Sequence, residues 1–131
     1  LLSLSFLVIC CDSNTSSSTS IDPKSPITLT KEDLTLTLNT ERTEWYITGC
    51  SNYSPYIRIP DMIENKPIAG IMDYSFRTCS GIKDLYLPKY LNYATGLSFY
   101  DCSTIENFYL ASSNEEYKTV DGILYSNDDL Y

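Results

Sequence analysis

The feature that most constrains this chain is internal repetition: residues 68–110 match themselves at a shift of 23 positions. Phe76 aligns with Phe99, Cys79 with Cys102, Ile82 with Ile105, Leu85 with Phe108 and Leu87 with Leu110, each pair 23 apart. A fixed period of this length marks a chain whose units stack on one another. Within a unit, Ile82, Leu85 and Leu87 run apolar-x-x-apolar-x-apolar, and the last two alternate as a short strand requires. Pro88 follows and ends the strand, because it has no N–H for a ladder. Phe76 and Cys79 are three apart, which suits an inward-facing helical or 3₁₀ turn. No single unit can bury its apolar side. Stacking predicts columns of Phe on Phe, Cys on Cys and Leu on Leu, in which each fully buried Leu, Ile or Phe contributes roughly 1.5–3 kcal/mol.

These residues resemble the BspA-like subclass of leucine-rich repeats, whose pattern is approximately I-P-x-x-V-x-x-I-G-x-x-A-F-x-x-C-x-x-L-x-x-I-x-I-P. Ser75-Phe76-Arg-Thr-Cys79 and Ser98-Phe99-Tyr-Asp-Cys102 stand where that family has A-F-x-x-C. Leu85-Tyr-Leu87-Pro88 and Ile57-Arg-Ile59-Pro60 stand at I-x-I-P, and Val120-Asp-Gly122-Ile-Leu-Tyr125-Ser resembles its D-G-V-L-Y-S hairpin. The likeness covers about residues 35–131. Ser75 and Ser98 replace the usual Ala, and Gly70 precedes Ile71 rather than following it. The resemblance implies an α/β-type solenoid of leucine-rich repeats with short parallel strands, helical or 3₁₀ turns and a β-hairpin cap at the N-terminal end. It also implies adhesion to host proteins or to other cells.

Along the chain, residues 1–11 read as the core of a signal peptide closed by a lipobox. The apolar run Leu1-Leu-Ser-Leu-Ser-Phe-Leu-Val-Ile9 is too short to span a bilayer, which needs about 20 residues. Cys11 is the better lipidation candidate, since the residue before it is the small Cys10, whereas bulky Ile9 precedes Cys10. Two acyl chains on that thiol would hold the protein at a membrane. Residues 12–30 are rich in Ser and Thr and read as a flexible tether, with order beginning near Ile27. Residues 31–131 form the repeat domain. Residues 34–60 supply the cap and the first ladder strand, 61–110 two repeats, and 111–131 a loop and hairpin. In the cap, Leu34-Thr-Leu-Thr-Leu38 alternates as a strand, and Glu44-Trp45-Tyr46-Ile47-Thr48 returns and closes at Gly49. Trp45 is expected to cover the first apolar layer. Asp121-Gly122 marks the turn of the last hairpin. A start on Leu1 without Met or basic leader, and an end at Tyr131 without a cap, suggest truncation at both ends.

Composition narrows the chemistry. The 131 residues carry a net charge of −8, which disfavours nucleic acid or anionic lipid as a partner. Histidine is absent, removing the commonest general base and metal ligand. The five cysteines, at 10, 11, 50, 79 and 102, form no C-x-x-C, so no metal and no cofactor is expected. Cys79 and Cys102 share a repeat position and come close on stacking. A disulfide is conceivable in an exported protein, but a free Cys suits a small buried apolar position, and two buried thiols are favoured. The carboxylate pairs Glu115-Glu116 and Asp128-Asp129 lie in polar loops and read as solvated.

What remains is a surface. On the ladder strands the residues between buried ones face outward: Tyr56 and Arg58, Asp84 and Tyr86, Asn107 and Tyr109. Arg58, Tyr86 and Tyr109 fall in one column; Tyr56, Asp84 and Asn107 fall in the other. Tyrosine offers large contact area at low entropic cost. The reading is a non-catalytic, lipid-anchored protein of the cell surface or outer membrane that binds protein partners along this face, its oligomeric state open. The alternative is a structural end module of a longer repeat protein with no ligand of its own.

Overall fold

The structure, a computed structural model, describes residues 24–129. Its strands are β1 (Ile27–Thr28), β2 (Leu34–Leu38), β3 (Trp45–Cys50), β4 (Tyr56–Arg58), β5 (Met62–Ile63), β6 (Lys66–Ile71), β7 (Asp84–Tyr86), β8 (Asn107–Tyr109), β9 (Tyr117–Val120) and β10 (Ile123–Ser126). The helical elements among the described residues are 3₁₀ turns at Lys31–Asp33, Gly96–Phe99 and Asn127–Asp129. This corrects the expected α/β-type architecture, since no α-helix occurs among those residues. Phe76 sits in a run of turns, and Tyr74 (φ 65°) and Thr78 (φ 54°) explain why. Left-handed residues at both ends of that run cannot belong to a right-handed helix.

The expected ladder is present. Strands β1, β4, β7 and β8 form one all-parallel sheet in that order. Ile57 lies opposite Leu85 and Leu85 opposite Phe108, while Arg58, Tyr86 and Tyr109 share the next register. Leu85 and Phe108 are 23 residues apart, but Ile57 and Leu85 are 28 apart. The first unit holds the extra five residues between Pro60 and Ile68, where β5 and β6 pair as a hairpin (Met62 with Pro67, Ile63 with Lys66). Glu64 (φ 50°) and Asn65 (φ 63°) make the tight turn, whose twist suits two antiparallel strands. The ladder also begins earlier than the sequence suggested. Residues 27–30, assigned to the tether, belong to it: β1 pairs with β4, the Leu29 N–H donates to the Arg58 carbonyl (2.8 Å), and Leu29 is 2% exposed. Ile27-Thr-Leu29 has the apolar-x-apolar form of Ile57-Arg-Ile59, and burial of that Leu outweighs the polar flanks.

A second sheet, ordered β2-β3-β6-β5, closes another side. The hairpin of β2 and β3 joins it with β3 parallel to β6, and Gly70 bridges in parallel to Tyr93 of the next unit. Strand β3 runs through Gly49 to Cys50 rather than stopping at Gly49; Gly49 faces Thr35 across the hairpin, where a Cβ would come 3.2 Å from Oγ1. Gly70 has a related task, because a Cβ there would lie 2.8 Å from the Tyr46 ring of the preceding layer. The third side is made by turns, whose backbones also pair: Tyr74 N–H to Leu97 O (2.7 Å), Phe76 N–H to Ser98 O (3.0 Å) and Thr78 N–H to Tyr100 O (3.1 Å).

The core lies inside these three sides. Ile47, Ile57, Ile68, Ile71, Phe76, Ile82 and Leu85 are fully buried. The rings of Phe76 and Phe99 stack at 5.8 Å, as the repeat predicts. Trp45 is half-buried and donates its indole N–H to the Ile63 carbonyl (2.8 Å). Two serines stitch the layers: the Ser75 hydroxyl donates to Ile47 O (2.7 Å) and that of Ser98 to Ile71 O (2.6 Å). Both are buried, and both occupy the position where the repeat pattern has Ala.

Cys79 and Cys102 form a disulfide with Cα atoms 5.2 Å apart, correcting the expectation of two buried thiols. Stacking at one repeat position brings the backbones within the range a disulfide spans.

Candidate binding face

The outward column of the ladder is a continuous stack. The Arg58 guanidinium carbon lies 4.5 Å from the centre of the Tyr86 ring, and the Tyr86 and Tyr109 rings stack at 4.4 Å with 17° between planes. Strand alternation turns all three side chains from the core, and parallel register places them one above another. The stack borders a shallow depression of about 300 Å³ whose wall also includes Asp61, Lys89 and Ala111. Asp61 and Lys89 each follow the proline that ends a ladder strand, so a signal for them was present in the repeat. The Asp61 carboxylate accepts the Lys89 backbone N–H (2.8 Å), and the Lys89 ammonium lies 5.1 Å from the Tyr90 ring.

The other column is more closed. Asp84 is 6% exposed, which corrects its assignment as an outward binding residue. The Asn107 amide donates to its carboxylate (3.1 Å), and the turn joining β9 and β10 lies over Asn107. At that turn Asp121 (φ 52°) and Gly122 (φ 79°) are left-handed, and the Gly122 carbonyl accepts the Phe108 N–H (2.8 Å). A side chain at Gly122 would collide with Asn107. Tyr56, Tyr86 and Asn107 are half-buried, and Arg58 and Tyr109 are exposed. Of the six residues predicted to form the surface, Arg58 and Tyr109 are exposed, and half-buried Tyr86 joins them into one stack.

Elsewhere the described residues give little reactive chemistry. Burial pushes the thiol of Cys50 up, away from the thiolate that a nucleophile needs. Asp33 is held low, chiefly by the Thr30 backbone N–H, and serves the 3₁₀ turn beside it. No cluster of three or more His, Cys, Asp or Glu suited to a metal occurs among the described residues. No helix among them is long and apolar enough to cross a membrane. Cys11 and its lipobox lie outside the described residues.

No family model matches the chain, and no curated protein matches it. Its structure is similar to the crystal structure of a leucine-rich repeat protein of T. pallidum (TpLRR), with a TM-score of 0.57 at 17% identity. The fold is a leucine-rich repeat fold. The match covers 63% of this chain and 38% of TpLRR, so the chain spans well under half of that protein's length. At such low identity the likeness concerns fold alone, and the fold places the stack of Arg58, Tyr86 and Tyr109 on the parallel strand face of the leucine-rich repeat.

Proposed function

We propose that this chain is a BspA-like leucine-rich repeat solenoid, exported and held at a membrane by lipid on Cys11, that binds other proteins without catalysis. Its repeats resemble those of surface adhesins, and adhesion is the role we assign. The observation that carries this reading is the outward stack of exposed Arg58, half-buried Tyr86 and exposed Tyr109 on a parallel ladder. Aromatic side chains and Arg dominate binding energy at protein interfaces, and here their rotamers are held before a partner arrives. The test is to replace Tyr86 and Tyr109 together by Ala and measure binding to candidate host-surface proteins. The reading expects binding to be lost; retention at wild-type strength overturns the face. Palmitate labelling tests the anchor separately: it should vanish in Cys11→Ala, and persistence of label and membrane fractionation defeats that part.

A second reading rests on the last layer. Phe99, Ile105, Phe108 and Leu110 are only half-buried, and Phe99 and Phe108 line an open cavity of about 420 Å³. Such an end suits a structural module that packs against further repeats. A wild-type chain that binds none of the candidate host-surface proteins would favour it.

A further inference from the structure

Two cations line the depression, Arg58 and Lys89, and of the two only Arg58 carries a planar fork. Lys31 pairs with Glu64 (2.5 Å) and Lys83 with Glu106 (3.7 Å), but Arg58 forms no salt bridge among the described residues. Its guanidinium instead lies over Tyr86. A guanidinium stacked on a ring uses its face and leaves its N–H edge for a planar, bidentate acceptor. Asp61, the carboxylate on the same depression, is turned to the Lys89 backbone. In a chain of net charge −8, this is a preorganised cation without an internal counter-charge.

We infer that the face takes an extended segment of a partner protein and receives one of its side-chain carboxylates on Arg58, with the neighbouring partner residue packed on Tyr109. This rests on the binding-face reading above and names the chemistry it recognises. The depression, about 300 Å³, has room for one or two side chains rather than a folded element. Tyr109, 39% exposed, extends the contact one rung along the ladder. The chain's overall negative charge repels acidic runs. The preferred segment therefore carries a single Asp or Glu in a neutral or basic setting.

The experiment is to pan a phage library of random dodecapeptides against the full chain, then measure selected peptides by calorimetry. The expected pool carries one fixed Asp or Glu. A selected peptide should lose about tenfold or more in affinity when its own carboxylate becomes an amide, and by a similar factor against Arg58→Gln. Arg58→Lys keeps the charge without the planar fork and should recover only part of the binding. Arg58 is exposed, so these variants should fold, which circular dichroism checks. Peptides that need Tyr86 and Tyr109 but tolerate Arg58→Gln overturn carboxylate recognition and leave the binding face standing. A pool indifferent to Tyr86 and Tyr109 overturns the face and this inference with it.

Discussion

Two layers of this molecule have nearly the same residues in the same repeat positions, yet they are buried differently. In the layer containing Phe76, the side chains of Phe76, Cys79, Ile82 and Leu85 are 0% exposed. Their equivalents one unit later, Phe99, Cys102, Ile105 and Phe108, are all half-buried. The first layer is sandwiched between the cap hairpin and the second layer. The second has the first on one side and, among the described residues, the hairpin of β9 and β10 on part of the other. Side-chain identity sets which atoms point inward, and neighbouring layers set how much water those atoms lose. In a repeat fold the energy of a position is thus a nearest-neighbour property.

The largest test of that comparison is Phe76→Ala against Phe99→Ala. The first should cost about 3–5 kcal/mol, as for a fully buried Phe, and the second roughly half of that. Urea unfolding followed by Trp45 fluorescence reads both, and equal losses would break the comparison.

Next is the disulfide that ties the weakly covered layer to the well-covered one. Reducing it, or replacing Cys79 and Cys102 together by Ser, should cost about 2–4 kcal/mol. A thermal melt insensitive to reductant would mean that the bridge contributes nothing.

Smaller effects sharpen the picture. Ser75→Ala and Ser98→Ala each remove a hydrogen bond between layers and should cost about 1 kcal/mol apiece. A stabilising outcome for either would show that the layers prefer the Ala of the repeat pattern. The smallest effect concerns the C-terminal hairpin. The Tyr117 hydroxyl accepts the Ala94 N–H (2.8 Å) and donates to the Ala94 carbonyl (3.0 Å). Burial, the leading cause, pushes its ionisation above the ordinary tyrosine value. The folded state therefore favours the protonated phenol. That contribution is complete below about pH 10, the ordinary value, and is lost as pH rises from there through the folded value. Melts of the wild type and Tyr117→Phe should diverge in alkali, with the wild type losing more. Parallel alkaline curves would contradict a raised ionisation of this half-buried phenol.

Much of this was legible in the chain. The 23-residue period predicted Phe76 over Phe99 and the register of Leu85 with Phe108, because a stacked unit repeats its apolar positions wherever it repeats its shape. The column of Arg58, Tyr86 and Tyr109 followed from strand alternation. The first rung at Ile27–Thr28 was hidden by a polar flank, although its apolar-x-apolar form was present. Burial of Asp84 was not legible, since strand alternation turns it outward and the Asn107 amide that bonds it lies under the turn at Gly122. Nor were the bonds of Ser75 and Ser98 to the preceding layer, which looked like departures from a pattern.

The sequence by itself determined which side chains recur and therefore which ones meet, because periodicity and strand alternation are local properties of the backbone. Only the tertiary structure decided which of those meetings are sealed from water, that the paired cysteines bond, and that Asp84 lies covered while Arg58 stays open. Those outcomes depend on distances between segments far apart in the chain, and contact across such distances is set by the whole packed arrangement rather than by any local stretch.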